Sequence, residues 1–172
     1  MKYITFNQKY ENQIVNLWNE CCTCDPITIT KFRQQALYDD NFNPELCFIT
    51  LDEESVVGFI LATKRIFPYL ERGLEPDRGW INVLFVDKKY RRCGLASKMF
   101  SIAEDFANNK HYNEIYLHTH KTLDGAIEFW TKMGFIITLD EGNKLETVHM
   151  EKQIRGLEIP LSHSNFNYAV EF

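Results

Sequence analysis

The chain has 172 residues, a formal net charge of −5, 45% hydrophobic residues and 25% charged residues. This length and composition indicate one globular domain with a real core, and the acidic balance disfavours nucleic-acid binding. No apolar run approaches the ~20 residues that span a bilayer, and the first residues lack the apolar core of a signal peptide. We therefore expect no membrane association and a cytoplasmic location.

The five cysteines are an odd number without a secretory signal, which predicts reduced thiols. Three of them, Cys21, Cys22 and Cys24, are close enough in sequence to suggest a metal site. Structural zinc needs four ligands, usually in two spaced pairs. Cys47, Cys93 and the histidines supply no second pair of that kind, so we expect no metal.

The first quarter of the chain predicts one strand and two helices. A weak alternation predicts a strand over 2–6, and apolar residues at helical spacing predict a helix over 8–22 with Asn7 as its N-cap. Thr28 or Thr30 caps a second helix that ends before the first hairpin.

The middle of the chain predicts a hairpin, a loop and a central strand. The apolar runs 47–51 and 56–64 flank a short polar segment, which is typical of an antiparallel hairpin. Residues 66–79 hold two prolines and two glycines and predict a long loop. The nearly continuous apolar run 80–86 predicts a central strand.

The second half alternates helical and strand patterns. The predicted elements are a helix over 94–109, a strand over 114–120, a helix over 125–133 with Asp124 as N-cap, and a hairpin of strands over 135–139 and 145–152. The resulting order is β-α-α-β-β-β-α-β-α-β-β. It predicts one α/β domain over 1–152, followed by a C-terminal extension of unknown role over 153–172.

A basic turn follows the strand over 80–86 and contains Gly94. Backbone N–H groups at such a turn, together with the dipole of the next helix, favour an anion. Glycine lets the backbone approach a ligand closely. We therefore expect an anionic ligand rather than a solvated basic surface or a nucleic-acid patch. The positive charge of the turn comes from Lys88, Lys89, Arg91 and Arg92.

Two segments resemble one known family. Arg91–Ala96, Arg-Arg-Cys-Gly-Leu-Ala, resembles the Arg/Gln-x-x-Gly-x-Gly/Ala signature of the GNAT (GCN5-related) N-acetyltransferases, and Ala126–Phe135 resembles a later helix of that family. The resemblance covers Met1 to about Lys152. It implies a mostly antiparallel mixed sheet of about seven strands flanked by about four helices, an acetyl-CoA-dependent enzyme, and acetyl-CoA as co-substrate.

The same resemblance implies a cofactor site. The turn binds the pyrophosphate, and the strand before it hydrogen-bonds the pantetheine arm in a gap that opens because this strand splays from the next. The sequence does not show a splay. The implied cofactor-binding residues are Leu84, Phe85, Val86, Arg91, Arg92, Cys93, Gly94, Leu95, Ala96, Ser97 and Trp130.

Acetyl transfer is the attack of an amine on a thioester, and the chain departs from the family's pattern at the acid. The frequent family acid is the tyrosine of a Phe-Tyr pair, whereas this chain has Trp130, whose indole does not titrate. We expect Trp130 to pack against the cofactor cleft. Tyr90, Tyr116 and Tyr168 are alternative acids among which the sequence does not choose.

The base is open as well. An alkyl ammonium has a pKa near ~10.4, so a proton must be removed before or during attack. Weak candidates are Glu75 and Asp77 in the long loop and His118 and His120 on the following strand, while Asn82 is suited to ordering a water.

The sequence therefore predicts an N-acetyltransferase that acts on a primary amine. The acceptor, a small molecule or a protein amine, stays open, as does a homodimer. The alternative function is a CoA-binding sensor or interaction module that has lost catalysis.

Overall fold

The computed structural model describes residues 1–23, 26–38, 44–63 and 78–154. Within these ranges, seven strands and four α-helices follow the predicted order. The strands are β1 Lys2–Thr5, β2 Cys47–Asp52, β3 Ser55–Thr63, β4 Arg78–Val86, β5 Glu114–His120, β6 Ile136–Asp140 and β7 Thr147–Gln153, and the helices are α1 Glu11–Cys21, α2 Ile29–Phe32, α3 Leu95–Asn109 and α4 Ala126–Lys132.

The helix starts follow local capping chemistry. Asn7 Oδ1 accepts the backbone N–H two residues further on at 3.0 Å, and this caps a 3₁₀ turn that leads into α1. Thr28, rather than Thr30, caps α2 by accepting the N–H three residues on at 3.1 Å. The prediction that Asp124 caps α4 is wrong, because Gly125 adopts a left-handed φ of +73° and is the N-cap.

The seven described strands belong to one sheet of order β1-β2-β3-β4-β5-β7-β6. β4 and β5 are parallel and every other neighbouring pair is antiparallel. A parallel pair needs a crossover, which α3 provides. The predicted mixed, mostly antiparallel sheet with flanking helices is confirmed.

Two apolar layers cover the two faces of the sheet. One layer includes Met99 of α3, Trp130 of α4 and Leu117 of β5, and the other includes Ile14 of α1 and Phe32 of α2. The layers fix which way each strand residue points, since neighbouring side chains alternate between faces. Among the described helices, none is long and apolar enough to cross a membrane.

The observed bounds of β4 and β7 differ slightly from the predicted ones. β4 begins at Arg78, two residues inside the predicted loop, and β7 reaches Gln153. The backbone N–H of Ile154 then donates to the Asn113 carbonyl at 2.9 Å. Residues 155–172, most of the predicted extension, lie outside the described residues, and the domain boundary stays a prediction.

Candidate active site

Strands β4 and β5 separate halfway along their length. Their parallel pairing ends at Ile81 and Leu117, although β4 continues to Val86 and β5 to His120. Beyond that pair, the described part of β4 has no β5 partner on this side. Its backbone groups there can hydrogen-bond an extended ligand. The strand residues implied to contact the pantetheine arm lie in this unpaired segment.

The separation coincides with a β-bulge in β4. On the β3 side, Ile81 pairs with Ala62 and Val83 pairs with Leu61, so Asn82 is an extra residue. Its side-chain Oδ1 is buried and lacks a hydrogen-bond partner among the described residues. A buried unpaired amide oxygen costs about 1–3 kcal/mol, and a water or a substrate N–H at the opening would remove that cost.

The basic turn after β4 presents backbone N–H groups. Arg92 and Gly94 both have left-handed φ angles, +63° and +84°, and such alternation in a turn aims successive N–H groups into a concave anion site. Gly94 is the N-cap of α3 and has no side chain that could cap the helix start. The first N–H groups of this 15-residue helix therefore have no bond to an N-cap side chain and can donate to a ligand at the turn.

Glycine at position 94 is favoured by the backbone conformation. No described atom lies within 4 Å of the place that a Cβ would occupy, so protein crowding does not exclude a side chain. The left-handed φ costs an L residue about 1–2 kcal/mol. The open space in front of Gly94 is where a bound anion would approach the backbone.

Arg91 braces this turn against two neighbouring elements. Its Nε donates to the Val86 carbonyl at 3.0 Å, and its Nη2 lies 3.5 Å from the Cys21 Sγ at the end of α1. The guanidinium thus holds the turn on the ends of β4 and α1, a role that the sequence did not suggest. The side chain of Arg92 is exposed and adds positive charge beside the turn.

Trp130 lies in an aromatic cluster rather than at a titrating position. The indole is 7% exposed, and its ring centroid is 5.7 Å from that of Phe100, 4.8 Å from Phe129 and 5.2 Å from Phe135. These contacts anchor α4 to α3 and to the start of β6. They favour packing as the function of Trp130.

The opposite face of β5 carries a polar cluster. Because Leu117 points into the layer with α3, Tyr116 and His118 point to the other face. The Tyr116 hydroxyl lies 2.5 Å from His149 Nδ1, and the His118 ring is 6.0 Å from that of Trp80 and 6.3 Å from that of His149. The cluster therefore borders the end of the β4–β5 pairing.

His118 is tuned toward its neutral form. Burial lowers its pKa below the ordinary value near 6.5, the neighbouring His120 and His149 lower it further, and Glu141 opposes the shift. A neutral imidazole at neutral pH can accept a proton. His120 has a different environment, since its Nδ1 lies 3.2 Å from the Thr147 hydroxyl.

The remaining predicted site residues divide into two groups. Glu75, Asp77 and Tyr168 lie outside the described residues, so nothing is added to their predictions. Tyr90 is described, and its hydroxyl donates to Asp52 Oδ2 at 2.7 Å, which raises the pKa of the phenol.

The described cysteines Cys21, Cys22, Cys47 and Cys93 are free thiols. No group of three or more potential metal ligands occurs among the described residues.

Sequence reasoning missed His149 and Glu141. His149 Nε2 lies 2.6 Å from Glu141 Oε1, and β7 pairs His149 with His118. The alternation of β7 places His149 on one face, but the register between β5 and β7 is needed to bring it to His118.

The geometry combines a basic turn at a helix start with an opening between two parallel strands of a mixed α/β sheet. The model of the acetyltransferase (GNAT) family matches residues 12–135. The chain belongs to this family, which confirms the resemblance seen in the sequence. The predicted acyltransferase class and acetyl-CoA co-substrate agree with this membership.

Curated relatives include two proteins named N-alpha-acetyltransferase 30. The one from Saccharomyces cerevisiae is 32% identical over 117 residues, which cover 65% of this chain and 61% of the relative. The one from Schizosaccharomyces pombe is 30% identical over 92 residues, which cover 54% of this chain and 58% of the relative. The chain thus spans about three fifths of the length of these relatives.

Solved structures show the same fold. Ard1 from Thermoplasma volcanium superposes with a TM-score of 0.72 at 20% identity, covering 90% of this chain and 98% of that one. A chain of the NatC complex bound to Gag peptide and CoA gives a TM-score of 0.68 at 23% identity, covering 88% and 97%.

Proposed function

We propose that the chain transfers an acetyl group from acetyl-CoA to the α-amino group of a polypeptide. The observation that carries the proposal is the unpaired segment of β4 beside the α3 N-terminus. One extended molecule with an anionic end can pair with the strand and place its phosphates at the turn. Acetyl-CoA has this combination of an extended pantetheine arm and a pyrophosphate.

The acceptor class is supported by the relatives. The two N-alpha-acetyltransferase 30 proteins match at 32% and 30% identity, and their name specifies an α-amine. An α-amine has a pKa near 7.7–8.0, against ~10.4 for a lysine side chain. At neutral pH it needs less help to become the neutral nucleophile, which fits a site whose base is a histidine.

Among the four predicted bases, we propose His118 for removing the first proton of the ammonium group. It is half-buried, it points to the face opposite α3, and it lies just past the last β4–β5 pair. Its lowered pKa keeps the imidazole ready to accept a proton near neutral pH. In this proposal, Asn82 holds a water or the acceptor's first amide through its buried oxygen.

The test is an acceptor comparison with the purified full chain. Acetyl-CoA is incubated with peptides that have a free α-amine and no lysine, with peptides that have a blocked N-terminus and one lysine, and with small polyamines. CoA thiol release and peptide mass are measured. We expect acetylation of the free α-amine peptides and little of the other two classes.

Two outcomes contradict the proposal in different ways. Preferred acetylation of lysine or polyamine refutes the α-amine acceptor and leaves acetyl transfer in place. Binding of acetyl-CoA without release of CoA for any acceptor in a varied peptide library favours the sensor alternative. Gly94→Asp is the control, since its carboxylate faces the phosphate position and should abolish transfer.

A further inference from the structure

Three side chains form a hydrogen-bonded chain on the face of the sheet opposite α3. Glu141 Oε1 lies 2.6 Å from His149 Nε2, and His149 Nδ1 lies 2.5 Å from the Tyr116 hydroxyl. His149 is 4% exposed and Tyr116 is 3% exposed, whereas the Glu141 side chain is 37% exposed. A buried phenol is thereby linked through a buried imidazole to a carboxylate at the surface.

The carboxylate sets the tautomer of the imidazole. An ionised carboxylate only accepts hydrogen bonds, so His149 Nε2 carries the hydrogen that bonds Glu141. In the neutral imidazole His149 Nδ1 is then an acceptor, and the Tyr116 O–H donates to it. This is the order of groups, carboxylate to imidazole to hydroxyl, that activates a hydroxyl in hydrolases.

The Tyr116 hydroxyl lies further along β5 than its own backbone position. In the sheet, Tyr116 pairs with Glu151, but its hydroxyl bonds His149, which is the partner of His118. The Tyr116 ring therefore leans along β5 toward its C-terminal end, and its hydroxyl is bonded on the β7 side of β5, which is the side away from β4. The hydroxyl reaches the level of His118 rather than the level of its own pair.

We propose that Tyr116, held by His149 and Glu141, carries a proton from the attacking nitrogen to the leaving sulfur. The inference rests on the proposed acetyl transfer. The ammonium loses its first proton to His118, which passes it to solvent, and the neutral amine then attacks the thioester carbon. The nitrogen must then lose one proton to give the amide, and the leaving sulfur must gain one to give the thiol.

Tyr116 and His149 together can move this proton from the nitrogen to the sulfur. As the C–N bond forms, the nitrogen gives its proton to the Tyr116 oxygen while the Tyr116 hydrogen passes to His149 Nδ1. The resulting imidazolium is stabilised by the Glu141 carboxylate. As the C–S bond breaks, the Tyr116 hydrogen passes to sulfur and His149 returns its Nδ1 proton to the phenol. The products are an amide and a thiol, beside the proton that His118 has already passed to solvent.

In this role Tyr116 would replace the tyrosine acid of other family members, where this chain has Trp130. Trp130 has no titrating group, and the Tyr90 hydroxyl is bonded to Asp52. Among the described tyrosines that the sequence left open as acids, Tyr116 has a bond to an imidazole that can store a proton. In this proposal Tyr116 is the catalytic residue, and His149 and Glu141 are positioning residues.

The experiment is a double-mutant cycle in the full chain. We expect Tyr116→Phe to lower kcat by on the order of 10²-fold, the usual size of general acid–base catalysis, and to leave the KM for acetyl-CoA within about twofold. Glu141→Gln should lower kcat by about tenfold, less than the loss of the acid–base group itself. Because Glu141 acts through Tyr116, the double variant should be as slow as Tyr116→Phe.

Two further measurements separate this role from a structural one. Tyr10→Phe is the matched control, because Tyr10 is another buried tyrosine bonded to a glutamate, Glu54, at 3.1 Å, and it should keep wild-type kcat. Nitrogen-15 NMR of the imidazole in wild type should show a bare Nδ1 and a protonated Nε2 on His149, whatever the activity of the variants.

The proposal is overturned by wild-type kcat in Tyr116→Phe, by a Glu141→Gln loss that is undiminished in the Tyr116→Phe background, or by a protonated Nδ1 in neutral His149. If wild type itself transfers acetyl to no acceptor, the proposed function fails and this inference fails with it. The former results leave wild-type transfer intact, so the two failures are distinguishable.

Discussion

His118 combines burial with neighbouring imidazoles, and both disfavour its charged form. Its pKa is lowered first by burial, then by His120 and His149. Between this lowered value and about 6.5, the unfolded chain binds more protons at this residue than the folded chain does. Stability therefore rises with pH across that window and is lost as pH falls through it.

We predict that His118→Gln removes an acid limb from the pH profile of kcat/KM. In wild type, activity should fall as His118 becomes protonated, at a pH below 6.5 because the pKa is lowered. The limb that belongs to the substrate amine should persist in the variant. The same substitution should flatten the acid side of the stability–pH curve, measured by urea unfolding. An unchanged acid limb in a folded His118→Gln protein would assign the base elsewhere.

Trp130 gives a second prediction for a single residue. Because its indole fills a cluster with Phe100 and Phe135, Trp130→Phe should lower the free energy of unfolding by about 1–3 kcal/mol and raise the KM for acetyl-CoA, with most of kcat retained. Urea unfolding and steady-state kinetics check both. Phe135→Leu is the control for packing in the same cluster.

The kinetic outcome decides what the indole does. A hundredfold loss of kcat in Trp130→Phe with unchanged KM, and no such loss in Phe135→Leu, would contradict a packing role. Trp130→Tyr restores the family residue but places a hydroxyl among phenylalanine rings, which is unfavourable without a partner. We expect it to be less stable than Trp130→Phe and no faster than wild type.

At the scale of elements, two substitutions in the turn between β4 and α3 distinguish the effect of backbone conformation from the effect of charge. Gly94 has φ of +84° and open space where a Cβ would be, so Gly94→Ala should fold with about 1–2 kcal/mol less stability. Because its Cβ enters that open space, it should also bind acetyl-CoA more weakly, but by less than a charged side chain would weaken binding. Gly94→Asp has the same backbone cost and adds a negative charge at the helix start.

We predict that Gly94→Asp weakens acetyl-CoA binding by on the order of 10²-fold relative to Gly94→Ala. Hydrogen bonds to a charged group contribute about 1.5–3 kcal/mol each, and 2.7 kcal/mol corresponds to a hundredfold change in Kd. Isothermal titration calorimetry on both variants is the measurement. Equal affinities would place the pyrophosphate away from this turn.

Elements of this kind were predictable from the sequence because each is determined by local pattern. The alternation of 114–120 predicted the bounds of β5, and apolar spacing predicted α3 to within one residue. The turn was recognised from its glycine and its charges. The left-handed angle at Arg92 and the bond from Arg91 to the Val86 carbonyl were not, because no pattern of residue types specifies them.

The pairing of elements that are distant in the sequence could not be predicted, for a different reason. Where β4 leaves β5 depends on the bulge at Asn82 and on the register of three strands. The contact between Tyr116 and His149 joins positions 33 residues apart. It follows from a diagonal lean that only the assembled sheet defines. The alternation of β5 puts Tyr116, His118 and His120 on one face, but only the register between strands determines which residues they contact.

At the scale of the whole molecule, charge is unevenly distributed. The chain has a net charge of −5, yet the turn after β4 has four cationic side chains within five residues. A local positive site on an acidic protein attracts a compact polyanion more than it attracts a long one, whose remaining phosphates would meet a repulsive surface. This distribution fits CoA better than nucleic acid.

The last prediction concerns stabilisation by the co-substrate. Acetyl-CoA that binds the folded chain and not the unfolded chain should stabilise it by about 2.7 kcal/mol at a concentration 100-fold above Kd. For a chain of this size, that energy raises Tm by about 5–10 °C. The shift should shrink as salt screens the exposed basic groups of the turn. It is measured by differential scanning fluorimetry with wild type and, as the control that lacks the anion site, Gly94→Asp.

Three results would distinguish the acetyltransferase from the CoA-binding sensor. A shift in wild type that is absent in Gly94→Asp, together with CoA release on adding peptide, supports the enzyme. The same shift without CoA release for any acceptor supports the sensor. No shift at millimolar acetyl-CoA in a well-folded sample contradicts both. The opening between β4 and β5 would then be a structural feature without this ligand, since a site that binds the folded state must raise its stability.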